Sequence, residues 1–245
     1  GGFGRVYVAK QLSMARKVAL KTLHPHLIAN RQHLARFYHE ARSISRLTGP
    51  HVVRVFDFGV DEDTRTPFLA MELLRGQTLT GLLSSEAPVE PRRAAKILGQ
   101  IGRAIAEAEE VGLVHRDLKP DNTFMVRTAT SDDFVKVMDF GLAKVLRAED
   151  GAPQNLTSTG VVVGTPRYMA PEQVLGRAVD TRTDLYALGC IMHEMLTAQP
   201  AFTGKDAVDL LVQHTTRPAP ALPDPLPGGA SLPPAMAELY HALLA

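Results

Sequence analysis

The sequence contains one cysteine, Cys190, and no tryptophan. A lone thiol closes no internal disulfide, which excludes a disulfide-stapled secreted scaffold and fits a reducing compartment. Aromatic residues make up only 6%, so Leu, Val, Ile, Met and Ala must fill the core. Charge of one sign is lacking too: 27 Lys and Arg face 26 Asp and Glu, a formal net charge of +1. That balance argues against a surface built for nucleic acid or an anionic membrane. No uncharged apolar run approaches the roughly 18–20 residues that cross a bilayer, and no secretory leader pattern opens the chain. No paired His or Cys residues stand at metal-ligand spacing, which argues against a zinc or iron site. With 45% hydrophobic and 22% charged residues over 245 positions, the composition is that of a folded chain of one large or two small domains. The chain opens inside a glycine cluster and ends in a helix-like run at 237–245. It reads as a segment of a longer protein.

Alternation of Val6, Tyr7 and Val8, and of Val18, Ala19, Leu20 and Lys21, predicts strands within residues 1–23. Leu34, Phe37, Ala41, Ile44 and Leu47 recur at steps of three and four, which predicts a helix over 31–48 stopped by Gly49-Pro50. Two more strands are expected at Val52–Phe56 and Pro67–Met71, and their short connections favour an antiparallel sheet. Beyond Gly76 the pattern turns helical. Pro91 and Gly112 bracket a helix whose inner face is Ala94, Ile97, Leu98, Ile101, Ala104, Ile105 and Ala108. A strand pair follows at 123–138, an irregular Thr/Ser/Gly-rich stretch at 145–168, a helix at 183–196 and a proline-crowded loop at 217–235. Strands first and helices afterwards predict an α+β fold in two lobes with a seam near residue 75.

Several polar groups stand out against this scaffold. The run Gly1-Gly2-Phe3-Gly4-Arg5-Val6 is a glycine-rich turn between strands. Such a turn can bring backbone N–H groups close to a phosphate, and serves a plain hairpin equally well. Lys21 ends a strand. Glu40 lies three residues after Phe37 and four before Ile44, on the apolar face of its helix, where a carboxylate needs a partner. Lys21 is a candidate for that partner, either as a structural ion pair or as an amine held toward phosphate oxygens. The densest cluster is His115-Arg116-Asp117-Leu118-Lys119-Pro120-Asp121-Asn122, polar at six of eight positions between two apolar runs. That mixture suits a loop displayed over a scaffold for function. Seventeen residues after Asn122 comes Asp139-Phe140-Gly141, a common strand-end turn when alone. An amide and two carboxylates at this spacing can converge across a hairpin as the hard oxygen donors that Mg²⁺ takes alongside phosphate.

In their order, these segments resemble the protein kinase family across essentially the whole chain: the truncated glycine loop, Val18-Ala19-Leu20-Lys21, Glu40, His115–Asn122, Asp139-Phe140-Gly141 and Ala170-Pro171-Glu172. The run Gly164–Gln173 looks most like the bacterial, eukaryotic-like serine/threonine kinases. The resemblance implies a bilobal fold, with residues 1–75 as a small antiparallel-sheet lobe carrying one helix and residues 76–245 as a larger, mainly helical lobe. It implies that the γ-phosphoryl group of ATP passes to serine or threonine hydroxyls of proteins in bacterial signalling, autophosphorylation included. By the same resemblance Gly1, Gly2, Phe3 and Gly4 cover the phosphates, while Val6, Ala19 and Phe124 sandwich the adenine with Met71 as gatekeeper. The backbone of Glu72 and Leu74 bonds the base. Lys21, oriented by Glu40, meets the α- and β-phosphates, and Asn122 and Asp139 hold Mg²⁺. Asp117 takes the hydroxyl proton, Lys119 sits by the γ-phosphate, and Thr165 bridges the two.

His115 is expected as a packing residue, Asp184 as an anchor for the catalytic loop, and Cys190 as a small core side chain. Arg116 preceding Asp117 resembles members controlled by phosphorylation, which makes Thr157 and Thr159 candidate sites facing Arg116, Lys144 and Arg36. A polar, solvated loop is the alternative. The first strand and the distal helices are missing, among them the arginine that in the family pairs with Glu172, so Glu172 is expected to lack that partner. Expected partners are ATP and protein substrates, with dimerisation as a route to trans-autophosphorylation. The domain is expected to be cytoplasmic, in a protein that often continues into a membrane helix in relatives of this type. Two other readings weighed against it are a pseudokinase scaffold, which the presence of Lys21, Asp117, Asn122 and Asp139 disfavours, and a small-molecule phosphotransferase, which lacks a Gly164–Glu172 type of segment.

Overall fold

A computed structural model describes residues 4–24, 31–129, 131–140 and 166–245. Strands β1 (Gly4–Gln11), β2 (Arg16–Leu23), β3 (Val55–Val60) and β4 (Pro67–Met71) form an antiparallel sheet in the order β1-β2-β4-β3. Helix α1 (Arg31–Ser45) buries Phe37, Ala41 and Ile44 of the five expected inward positions, leaves Leu34 half-buried, ends before the buried Leu47, and packs on β3. The second sheet, β5 (Gly76–Thr78), β6 (Thr123–Val126) and β7 (Phe134–Val137), is also antiparallel. Around it stand α2 (Leu79–Glu86), α3 (Pro91–Glu110), α4 (Pro171–Val174), α5 (Thr181–Thr197), α6 (Ala207–Thr216) and α7 (Pro234–Leu243). The fold is α+β in two lobes.

The central helices are built as their sequences dictate. Pro91 opens α3, the Glu90 carboxylate accepts the Arg93 N–H, and Gly112 takes the left-handed φ of 70° just past its end. All seven expected inner residues of α3 are buried. Each large aliphatic among them contributes about 1.5–3 kcal/mol over an exposed position. That face packs against α5 and β7, so α3 and α5 form the floor on which the polar loops lie. The Asp180 side chain caps α5 by accepting the Arg182 N–H. No described helix is long and apolar enough to cross a membrane.

One expected strand is misplaced. Val52 and Val53 precede β3 instead of starting it: Val53 N–H donates to Val137 O at 2.9 Å and Val137 N–H to His51 O at 2.8 Å. Two buried valines satisfy an alternating pattern whichever sheet they join. This pairing, with the Thr48 and Gly49 amides both 2.7 Å from Glu107 Oε1, fastens the chain between α1 and β3 to the helical lobe. Periodicity also gives no helix at 207–216, because Val208, Leu210, Leu211 and Val212 spread apolar groups around every face; an Asp206 cap and packing on α4 nonetheless wind α6 there.

Candidate active site

Cross-strand register places Val6, Lys21 and Leu69 side by side, and Val8, Ala19 and Met71 likewise. All six therefore share one face of the first sheet. Gly4 opposes Leu23 so closely that a Cβ would sit 1.9 Å from Thr22 O, which leaves glycine as the residue that fits. On the floor opposite, Thr78, Phe124 and Lys136 align across β5, β6 and β7. Lys136 Nζ reaches Glu72 Oε1 at 2.6 Å and Val52 O at 3.0 Å, so Phe124 lies on the face turned toward the segment joining the two sheets. Within that segment Glu72 N–H donates to Arg54 O at 3.0 Å. Among the described residues, no hydrogen bond engages Glu72 O or the Leu74 amide.

The His115–Asn122 loop is held from below by a single carboxylate. Asp184 on α5 is 2% exposed and accepts the N–H groups of His115 at 2.7 Å and Arg116 at 2.9 Å. Burial pushes the Asp184 carboxyl up, against the pull of His115 and of these two bonds. The anchor holds Arg116 at a left-handed φ of 64°, a conformation that costs a non-glycine residue about 1 kcal/mol or more. His115 is wholly buried and both its nitrogens are engaged: Nδ1 accepts the Asp117 N–H at 3.3 Å and Nε2 faces Met138 O at 3.0 Å. With its ring 4.6 Å from that of Phe140, it is a packing residue. Met138 N–H donates to Asn122 O at 2.9 Å, so the residue before Asp139 is stitched to both ends of the loop.

Above that anchor the polar groups converge. Asp117 Oδ2 lies 2.9 Å from Lys119 Nζ. Asn122 Nδ2 donates to Asp117 O at 2.7 Å and approaches its Oδ2 at 3.3 Å. That bond fixes the amide so that Oδ1 is the atom left to accept or to coordinate. Asp139, at φ 62°, places Oδ1 2.7 Å from Lys21 Nζ. This ion pair closes the space between the first sheet and the His115–Asn122 loop, and it is partly solvated, with side chains 19% and 26% exposed. An amide oxygen and a carboxylate oxygen suit a hard cation that completes its shell with phosphate oxygens, so the residues present fit Mg²⁺. Among the described residues there is no cluster of three or more His, Cys, Asp or Glu that would hold a metal by itself.

One expectation is not met. Lys21 pairs with Asp139 and not with Glu40; among the described residues Glu40 Oε1 lies 3.8 Å from His39 Nδ1. Helical spacing put Glu40 on the inner side of α1, but α1 packs on β3 at the far edge of the sheet, whereas Lys21 lies on β2. With a side chain 18% exposed, Glu40 keeps enough water to stand without a lysine. Glu172, expected without its partner, accepts a hydrogen bond from the Thr183 hydroxyl. Gly1, Gly2, Phe3, Lys144, Thr157, Thr159, Gly164 and Thr165 lie outside the described residues.

Three contributors escaped sequence reasoning. Thr123 Oγ1 donates to Lys119 O at 3.2 Å, which explains a hydroxyl at that buried strand start. Gln173 Nε2 donates to Arg116 O at 2.8 Å while its Oε1 accepts the Ala170 N–H, tying α4 to the loop. Lys136 carried the one available signal, a lysine between the buried valines 135 and 137.

A family model described as the protein kinase domain matches residues 1–240. The chain is 42% identical over 220 residues to serine/threonine-protein kinase pkn3 of Myxococcus xanthus, covering 90% of this chain and 40% of that protein. It is 41% identical over 244 residues to Pkn1 of the same organism, covering 100% and 33%. It is 36% identical over 232 residues to PknB of Mycobacterium tuberculosis, covering 94% and 35%. The chain belongs to the protein kinase family, and its relatives are bacterial serine/threonine kinases. It spans about a third of the length of these relatives.

Proposed function

We propose that this domain transfers the γ-phosphoryl group of ATP to serine and threonine hydroxyls of proteins, with residues 1–75 and 76–245 as its two lobes. The observation that carries the reading is the Lys21–Asp139 pair, 2.7 Å across the space between the first sheet and the loop that carries Asp117 and Asn122. Phosphoryl transfer asks mainly for positioning and charge stabilisation, which this set supplies.

In this reading Gly1, Gly2, Phe3 and Gly4 border the phosphates. Val6 and Ala19 lie above the adenine, Phe124 below it, and Met71 at its back. The Glu72 carbonyl and Leu74 amide bond the base. The Lys21 ammonium holds the α- and β-phosphates. Asp139 and Glu40 are alternative partners for that one ammonium, and a nucleotide-bound state turns Lys21 toward Glu40. Asn122 Oδ1 and the Asp139 carboxylate hold Mg²⁺, which when bound neutralises charge on the phosphoryl oxygens. Asp117 orients the acceptor hydroxyl and takes its proton as the new O–P bond forms and ADP departs; Lys119 and Thr165 steady the γ-phosphate and Asp117.

The domain works where ATP is plentiful, on the cytoplasmic side, and two copies phosphorylate each other on Thr157 or Thr159. The resulting phosphate pairs with Arg116, Lys144 and Arg36. Mass spectrometry after incubation with ATP and Mg²⁺ tests this, and a loop free of phosphate refutes it. The functional reading is tested by phosphoamino-acid analysis of a protein substrate labelled from γ-³²P-ATP. Phosphoserine and phosphothreonine are expected; label confined to small metabolites, or none above a protein-free control, refutes it.

A further inference from the structure

One buried titratable side chain outside the nucleotide cleft has no part in the chemistry above. His214 on α6 is 3% exposed. Its Nδ1 lies 2.8 Å from Tyr186 Oη on α5, and its ring packs 4.5 Å from that of Phe202. Its Nε2 is buried with no hydrogen-bond partner among the described residues. Both α5 and α6 pack on the turn Pro166–Tyr168, which Tyr168 pins by hydrogen-bonding Glu194 of α5. The backbone at Pro166 and Arg167 lies close enough to the imidazole to favour its charged form, yet neither residue bonds Nε2.

One arrangement of the pair leaves Nε2 protonated, with the Tyr186 phenol as the donor to Nδ1. Burial pushes the Tyr186 phenol up, so it keeps its proton, and burial holds His214 neutral. A phenol O–H that donates to Nδ1 requires the neutral ring to carry its hydrogen on Nε2. In that arrangement His214 presents a buried N–H without an acceptor beside the turn Pro166–Tyr168, on which α6 packs. An orphaned buried donor is costly, so whatever moves the turn onto it gains a bond.

We propose that His214 is a positioning residue for the acceptor peptide: held by Tyr186, its Nε2–H latches a carbonyl of Pro166 or Arg167 when a peptide settles on the 166–168 turn. The inference rests on the proposed transfer to protein hydroxyls, with the acceptor peptide seated on the turn 166–168. It assigns to α6 a part in substrate affinity that is separate from phosphoryl transfer.

The test uses steady-state kinetics with a serine peptide and ATP. The side-chain nitrogen of glutamine reaches about as far as Nε2, and that of asparagine only as far as Nδ1. His214→Asn is expected to raise the peptide KM about three- to tenfold, the worth of one neutral hydrogen bond, with kcat and the KM for ATP unchanged. His214→Gln is expected to stay near the wild type. An unchanged peptide KM in His214→Asn overturns the proposal, as does a loss spread evenly over kcat and both KM values.

The wild-type protein gives a second readout that no folding defect can confound. Nitrogen-15 NMR of His214 should show the Nε2–H tautomer, with a shift of that nitrogen on saturation with peptide. An Nδ1–H tautomer, or no shift, contradicts the latch. Absence of phosphate transfer by the wild type refutes the functional reading instead, and the peptide titration still decides the latch.

Discussion

Removing the Asp184 carboxylate tests how the His115–Asn122 loop is held. The side chain is 2% exposed and accepts two backbone N–H groups, at 2.7 and 2.9 Å. Asp184→Ala leaves both amides buried without an acceptor, at about 1–3 kcal/mol each. Relaxation of Arg116 from its left-handed φ returns about 1 kcal/mol, so the net loss is about 1–5 kcal/mol. For a domain of this size that lowers Tm by about 2–20 °C. Asp184→Asn keeps one acceptor, turns an NH₂ toward the other amide, and spares the cost of a buried charge, so a loss of about 1–2 kcal/mol is expected. The stability order is then wild type, Asn, Ala, read from thermal and urea melts. Because Asp117 rides on the same loop, kcat should fall by about tenfold or more even in the milder variant, while affinity for ATP changes little. A Tm for Asp184→Ala within about a degree of the wild type, or an Asn variant less stable than Ala, would refute the anchoring argument.

Stability should also depend on pH through His214, which burial holds at about 4, below the ordinary histidine value. A depressed folded value means that its stabilising contribution is complete above about pH 6.5 and is lost as pH falls toward about 4. The loss is on the order of 3 kcal/mol, and His193 is displaced in the same direction. Urea melts in that window should show a steep decline that is shallower in His214→Gln; equal slopes contradict the assignment. Lys136→Met should cost about 1–3 kcal/mol, because it strips a partly buried partner from Glu72. It should also raise the KM for ATP more than it lowers kcat. A Glu72→Gln/Lys136→Met double variant should then lose less than the two single losses combined, and strict additivity would mean that the pair carries no coupling.

Elements whose burial follows a strict period were legible from residues alone. The inner face of α3 and the core face of α1 are cases where one spacing fits and the alternatives do not, whereas the strand Pro67–Met71, buried at all but Phe68, was legible as a short apolar run. Asp184 was expected as the anchor from the family resemblance; its place beside Leu188 and Ile191, all three buried, accounts only for its turning inward. What escaped were choices of partner. Period tells which way a side chain faces, and says nothing of which neighbour meets it there. Val52 and Val53 pair with the second sheet, and Lys21 meets Asp139 while Glu40 stands apart, for this one reason. The tie from Lys136 to Glu72 spans 64 residues of chain, and no local pattern encodes it.

The central claim is that Asp117, Asn122, Asp139 and Lys21 form one phosphoryl-transfer centre. Its most direct test is the rate at which label from γ-³²P-ATP enters a serine/threonine substrate in Asp117→Asn against the wild type, with ATP affinity measured beside it. The account predicts a rate about 10²- to 10⁴-fold lower, the usual worth of a positioned general base, with ATP affinity essentially preserved. Equal rates in the two proteins would contradict it.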